Sequence, residues 1–457
     1  MQGLGEMAAY MPLTGGHLMY AGRFVDPSLA FAVNWAYAIQ WILVFASELS
    51  AVAVLFNYWV PATQVSNAVW ITIAWITVVT LNLFPAKVYG ESEFIFSSIK
   101  VLTIIGLIIC GICINCGAGP DGEYIGFRYW KDPGAFAPEY LGLKGSLKNF
   151  LGFWSVLTTA SFSYFGSEIV AVAAAESHNP TRAIPRAIKQ VYIRIVLFYV
   201  LGTFVIGLNI PSTHPHLGSS HDAHASPFVI AIESAGIKVL THIINACIIS
   251  AAWSAANADV YIGSRSFFSL AHQGYLPKIF LYTSSQGAPI VSTLFTGIFG
   301  ALAYMVCSTD AYRVFGWFLS LTSVWGLMIY IVICITYLRF RQAVDYQGID
   351  RDVFPFRSSF ARGGAWIALV FISCIAFFSG WAVFMDVKHF DAAKFVTNYL
   401  PLPVLPAFYI GRKLWTRSKI LPLDEVDLHT GARHRAECVD DEEVPKGFLG
   451  RLYVMFC

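Results

Sequence analysis

The residues of this chain that could do chemistry sit where water is scarce. The stretch Phe162-Ser163-Tyr164-Phe165-Gly166-Ser167-Glu168 places a glycine, hydroxyl groups and a carboxylate inside a mostly apolar window. Glycine permits backbone conformations that other residues resist, and an ionisable group among apolar neighbours must be satisfied by water, a partner or a bound molecule. That combination suits an unwound stretch of helix. The competing reading is a glycine packing contact, with Glu168 snorkelling or paired structurally. Two further charges fall in apolar windows: Lys100, about two turns into its window, and Glu48, near the middle of another in Ser47-Glu48-Leu49-Ser50. A lysine in such surroundings can take and release a proton; equally, it can snorkel to the headgroups. Glu48 can pair with Lys100 or relay a proton. Asn257 and Asp259, in Ser254-Ala255-Ala256-Asn257-Ala258-Asp259-Val260-Tyr261, add a polar face that either lines a route or packs closely through its small residues.

The elements that must position these residues are long and apolar. Hydrophobic residues make up 56% of the 457 and charged residues 13%, about half the charged share of a soluble domain. With 13 Trp, 22 Tyr and 36 Phe, the chain is rich in side chains that settle at a lipid-water interface. A helix needs roughly 20 apolar residues to cross a bilayer, and about ten windows qualify. They run from about Ser28 to Val60, Ala68 to Pro85, Phe94 to Cys116, Phe150 to Ala175, Val191 to Ile210, Val239 to Leu270, Ile290 to Cys307, Phe315 to Leu338, Ala365 to Met385 and Phe395 to Ile410. The fold class is therefore all-α transmembrane, with membrane lipid as solvent.

Lys and Arg set the expected orientation. If the segment before the first full span is cytoplasmic, that side holds about 20 of them and the other about six, namely Arg128, Lys131, Lys144, Lys148, Lys388 and Lys394. Both ends are then expected in the cytoplasm. The region from Glu176 to Ile188 reads as a connection and topological anchor, and the tail from Leu421, with its acidic run Asp440 to Glu443, as solvated. Met1 to Met11 is too short to span and lacks the features of a signal peptide, so it looks like the last turns of a helix whose beginning is absent.

An ordered series of motifs carries a resemblance. Leu4-Gly5-Glu6-Met7, Pro12-Leu13-Thr14-Gly15-Gly16, Arg23-Phe24-Val25-Asp26-Pro27, Ser97-Ser98-Ile99-Lys100-Val101, Tyr129-Trp130-Lys131-Asp132-Pro133-Gly134, Gly166-Ser167-Glu168-Ile169-Val170, Glu176 to Ile188, Tyr337-Leu338-Arg339-Phe340-Arg341 and Leu421 to Gly431 resemble, in order, the fungal amino acid permeases of the amino acid/polyamine/organocation superfamily. The resemblance implies two inverted five-helix repeats plus two peripheral helices, with the ten windows matching the family's third to twelfth spans and the first repeat incomplete at its start. The expected layout is a truncated helix and cytoplasmic loop at 1–27, three spans of the first repeat at 28–116, an extracellular loop at 117–149, the second repeat at 150–340, a cytoplasmic loop and two peripheral spans at 341–411, and a cytoplasmic tail at 412–457.

The function implied is secondary active, proton-coupled uptake of L-amino acids across the plasma membrane by alternating access. Substrate in such folds lies at the midplane, against unwound backbone. Carried over residue by residue, the backbone of Ser163 to Gly166 would meet the amino or carboxylate end of the substrate, Tyr164 or Phe165 would cover its side chain, and Ser167, Glu168 and Asn257 would complete the site. Lys100 takes the place that sodium fills in sodium-coupled relatives, and with Glu48 is expected to couple the proton. The only coupling ion expected is the proton, without a cofactor; the expected partners are the amino acid, the proton and lipid, with no basic stripe for nucleic acid. A broad neutral substrate range fits the lack of an unpaired basic cluster in the spans. The alternatives are a non-transporting amino acid sensor and an inactive truncated permease.

Other clusters are weaker. Cys110, Cys113 and Cys116 share a helix face but lack a nearby His or acidic fourth ligand for a metal. His214, His216, His221 and His224 fall in an expected outside loop, read as hydrophilic. Cys457 ends the chain as Tyr-Val-Met-Phe-Cys, similar to lipidated endings in the family, and is a candidate for S-palmitoylation. No nucleophile, His and carboxylate stand in motif spacing and no phosphate loop is present, so the chain does not read as an enzyme.

Overall fold

The computed structural model describes residues 1–433 except 14, 119–121, 139, 173–179, 216, 218–225, 308–310, 359 and 386–389. Cys457, His216, His221, His224 and the acidic run at 440–443 lie outside the described residues. The helices in chain order are α1 (Gln2–Tyr10), α2 (His17–Phe24), α3 (Pro27–Phe56), α4 (Asn67–Asn82), α5 (Ala86–Asn115), α6 (Ser146–Phe162), α7 (Ile169–Val172), α8 (Pro180–Arg194), α9 (Leu201–Asn209), α10 (Pro227–Ser234), α11 (Lys238–His272), α12 (Ile290–Ile298), α13 (Ala311–Tyr346), α14 (Ala361–Phe377), α15 (Ala392–Tyr399) and α16 (Pro401–Thr416). The described residues form no named strand.

Each of the ten apolar windows holds helix, and among the described residues seven helices are long and apolar enough to cross a membrane. In the other three windows the helix is shorter or interrupted. Helix α4 has only 16 residues, the fourth window is interrupted between α6 and α7, and α15 and α16 meet at Pro401. Proline has no N–H to continue the ladder, so a new helix begins there. The connection expected at Glu176 to Ile188 is helical from Pro180 onward, and its residues 176–179 lie outside the described residues.

Helices α3 and α13 form the buried centre, and packing between them continues into α11 and α16. Outward faces stay apolar: Leu102 of α5 is 70% exposed and Ile367 of α14 is 63% exposed. In water such faces would drive association; in lipid they are solvated.

The end of the bundle that carries the C-terminal segment is tied by charge. Asp26 Oδ1 caps α3 by accepting from Ser28 N–H (2.8 Å) and also accepts from Ser418 Oγ (2.7 Å), while its Oδ2 accepts from Lys413 Nζ of α16 (2.6 Å). Glu6 of α1 is fully buried and accepts from Tyr337 Oη (2.8 Å) and Arg351 Nη2 (2.9 Å), joining α1 to α13 and the loop after it.

The tail read as solvated is docked over residues 421–433. Leu421 N–H donates to Val25 O (2.9 Å), Arg433 N–H to Tyr10 O (2.7 Å), and Gln347 Nε2, just after α13, to the carbonyls of Leu423 (2.8 Å) and Val426 (2.7 Å). Val426 and Leu428 are buried, which a chain of alternating polar and apolar residues achieves only by finding a complementary surface. Burial raises the Asp427 carboxyl, but the Thr430 and His429 backbones, the Thr430 hydroxyl and the Arg23 guanidinium outweigh it and hold it at about 2, below its ordinary 3.8. A carboxyl depressed in the docked state stabilises docking above pH 3.8, and that contribution is lost as pH falls toward about 2. Acid-protease cleavage within 421–433 is expected to rise across that interval in the wild type, with a smaller pH response in Asp427→Asn; equal responses would show that Asp427 does not hold the segment.

Candidate functional site

The break between α6 and α7 is built by its own sequence. Ser163, Tyr164 and Phe165 N–H groups bond three residues back, to Ala160 (3.2 Å), Ser161 (3.0 Å) and Phe162 (3.3 Å), so the helix tightens before it stops. Gly166 then takes φ +86°, a left-handed conformation that side-chain-bearing residues resist, and α7 restarts at Ile169. The structure thus places Ser163, Tyr164, Phe165, Gly166, Ser167 and Glu168 together in the unwound segment.

Glu168 is 1% exposed. Tyr330 Oη of α13 donates to Glu168 Oε2 (2.9 Å), with the Tyr164 carbonyl as a second acceptor at 3.2 Å, and Ser167 Oγ lies 2.8 Å from the same phenol oxygen. The Gly166 and Glu168 backbones also face this carboxylate, and Tyr37 of α3 stands within electrostatic range of it. One turn before Tyr330, Gly326 gives room to Phe165: a Cβ there would lie 2.3 Å from the Phe165 ring. The same ring stacks on Tyr330 with centroids 5.9 Å apart. Helix α13 therefore supplies a notch and a hydroxyl four residues apart on one face.

Beside the break lies a cavity of about 650 Å³. Ser163 and Tyr164 form one wall, and Trp130, Tyr199, Thr203 and Phe204 are among its others. Small-molecule sites typically occupy about 300–1,000 Å³ and combine aromatic walls with a few polar groups.

The remaining expected residues gather elsewhere. Asn257 of α11 accepts from Asn82 Nδ2 of α4 at 2.8 Å, so its partner is in α4 rather than in the break. Lys100 is deeper than the apolar pattern indicated. Helix α5 starts at Ala86, which puts Lys100 fourteen residues, or about 21 Å, along the axis. Its ammonium donates to Ser254 Oγ (2.8 Å) and approaches Glu93 Oε1 (3.4 Å), while Ser254 Oγ donates to Glu93 Oε2 (2.7 Å). The ammonium is thus held by Ser254 and Glu93 in this conformation, with about a third of the Lys100 side chain exposed. Glu48 of α3 lies within electrostatic range of Lys100, but the carboxylate in hydrogen-bond contact is Glu93.

Sequence reasoning missed Tyr330, Gly326, Tyr37 and Glu93. Only Glu93 left a signal, its seven-residue spacing from Lys100 placing both on one helix face. Nothing within the α13 sequence alone marks Tyr330 apart from its other aromatics.

Tyr330→Phe deletes the side-chain donor to a buried carboxylate and is expected to cost about 1–3 kcal/mol. A lower Tm of the purified protein in detergent would report this loss; an unchanged Tm would mean that the backbone alone satisfies Glu168.

Against known proteins, the family model described as amino acid permease matches residues 1–425. The proline-specific permease of Emericella nidulans is 40% identical over 99% of this chain and 83% of its own length. The general amino-acid permease of Saccharomyces cerevisiae is 40% identical over 94% of this chain and 71% of its own length. The lysine-specific permease of the same yeast is 37% identical over 99% of this chain and 73% of its own length.

Proposed function

This chain belongs to the amino acid permease family, and we propose that it carries L-amino acids across the plasma membrane by proton-coupled alternating access, with both chain ends on the cytoplasmic side. It is a multi-pass membrane protein and a transporter by family, not an enzyme. The observation that carries the reading is the unwound segment from Ser163 to Glu168, held by Tyr330 beside a cavity of about 650 Å³. Where a helix is interrupted next to a cavity, backbone carbonyls released from the helical ladder are available to the charged end of a substrate.

In this account the Ser163 to Gly166 backbone meets the charged ends, Tyr164 and Phe165 shape the side-chain pocket, and Ser167 and Glu168 fix the break. Asn257, bonded to Asn82, stiffens the α4–α11 contact beside the route. Lys100 and Glu48 couple the proton, the only coupling ion proposed, and no cofactor takes part. The two halves of the fold are proposed to be inverted repeats that rock about the break.

Sequence identity does not choose the substrate. The three relatives above are named for proline, for amino acids generally and for lysine, at 40%, 40% and 37% identity. The groups lining the break are a carboxylate, hydroxyls and aromatic rings, with no basic side chain among the partners described above to hold a second carboxylate. A neutral amino acid fits that set best.

The test is uptake of labelled amino acids by a permease-deficient fungal host expressing this chain. Neutral substrates are expected to accumulate against their gradient and to compete with one another better than acidic or basic ones. A protonophore is expected to abolish accumulation. Glu168→Gln is expected to lower uptake about 10–100-fold at normal surface abundance, the factor set by losing about 1.5–3 kcal/mol of charge-assisted bonding. Lys100→Met is expected to remove the dependence on external pH. Normal uptake by the Glu168→Gln protein would overturn the role given to the break.

A further inference from the structure

The interior holds a second polar centre, away from the break, whose make-up bears on coupling. Helices α3, α5 and α11 bring three carboxylates, Glu48, Glu93 and Asp259, into electrostatic contact with Lys100. Lys100 and Glu93 are already engaged, joined through Ser254 by bonds of 2.8 and 2.7 Å. Asp259, five residues beyond Ser254 on α11, is 3% exposed, and its Oδ2 has no hydrogen-bond partner among the described residues. A buried carboxylate oxygen without a donor is costly as an anion and is relieved either by a proton or by an arriving cation.

The other ionisable groups around Asp259 do not supply that relief. Tyr89 of α5 stacks on Tyr261 with centroids 3.8 Å apart. Arg265, further along α11, has its guanidinium over the Tyr261 ring at 3.1 Å and donates to the Tyr261 carbonyl. Helices α4 and α12 contribute none, since Asn67–Asn82 and Ile290–Ile298 contain no ionisable side chain. Three carboxylates thus share one cation, Lys100, and close carboxylates in a largely buried site do not all ionise together.

We propose that Asp259 is the residue that holds the coupled proton, and that Lys100 is its counter-charge. With the proton on Asp259, Lys100 stays on Ser254 and Glu93, as seen here. When the proton leaves to water, the carboxylate becomes the strongest anion without a partner, and the Lys100 ammonium is drawn from the α5 side of the network toward it. The α5–α11 contact then has two arrangements, each matched to one protonation state. This rests on the permease reading and refines its coupling site: Asp259 carries the proton, whereas Glu48 tunes the field around it.

The experiment uses the full chain reconstituted in proteoliposomes, with a neutral L-amino acid as probe. Three quantities are read for each variant: initial uptake against external pH, the accumulation ratio under an imposed proton gradient, and exchange of labelled for unlabelled substrate. Asp259→Asn is expected to give a flat pH profile and an accumulation ratio that falls to unity, with exchange still measurable. Asp259→Glu keeps a titrating group at a different position and is expected to keep accumulation while shifting the midpoint of the pH profile. An Asp259→Asn protein that accumulates with the wild-type profile would overturn the proposal, as would an unmoved midpoint in Asp259→Glu. A wild-type protein that exchanges but never accumulates would instead refute proton coupling itself, so the two failures are told apart.

Discussion

A helix that stops inside a membrane bundle leaves backbone groups in a medium that offers them no water, and the rest of this structure is arranged around one such stop. The chain breaks α6 at Gly166 and places Glu168 two residues later, fully buried. Both features cost free energy unless neighbours meet them. Helix α13 meets them with Tyr330, whose hydroxyl reaches Glu168 and the Tyr164 carbonyl, and with Gly326, whose missing side chain admits Phe165. Helix α3 brings the Tyr37 ring within electrostatic range of the same carboxylate, without a hydrogen bond to it among the described residues. The break is thus held by α13, one of the two most buried helices.

The same helices are fixed at their far ends by charge. Asp26 starts α3 and is clamped by Lys413 and Ser418, while Tyr337 of α13 and Gln347 just after it grip Glu6 and the C-terminal segment. Position at the break is therefore set by a rigid frame. A transport cycle must either carry this frame as one body or loosen it, and the buried Leu428 and Val426 make it a frame with a defined seam. Polar contacts inside the bundle, at Asn82–Asn257 and Lys100–Glu93–Ser254, join α11 to α4 and α5 and give the helices pairings that could exchange.

How much of this could be read from the sequence depends on the kind of signal. Apolar length located all seven helices that, among the described residues, are long and apolar enough to cross a membrane, because lipid imposes it locally. The break was legible because Gly166 and Glu168 are anomalies within their own window. Depth was less legible: the apolar run near Lys100 begins after polar Glu91, Ser92 and Glu93, yet the helix starts at Ala86, since charged residues with helix-side partners do not end a helix. The docked segment at 421–433 was missed because its order comes from carbonyls meeting Arg23, Arg339 and Gln347, contacts hundreds or tens of residues away that no local pattern encodes. Tyr330 was hidden for the same reason. The family resemblance recovered the order of the motifs but could not say which side chains touch.

The proposed transport cycle requires substrate to sit against the unwound segment from Ser163 to Gly166. A cryo-electron-microscopy structure of the full chain with a neutral L-amino acid bound tests it most directly. The account predicts ligand density within hydrogen-bond distance of that backbone, with Tyr164 or Phe165 over the ligand's side chain. Density lodged elsewhere, with the segment untouched, would contradict it.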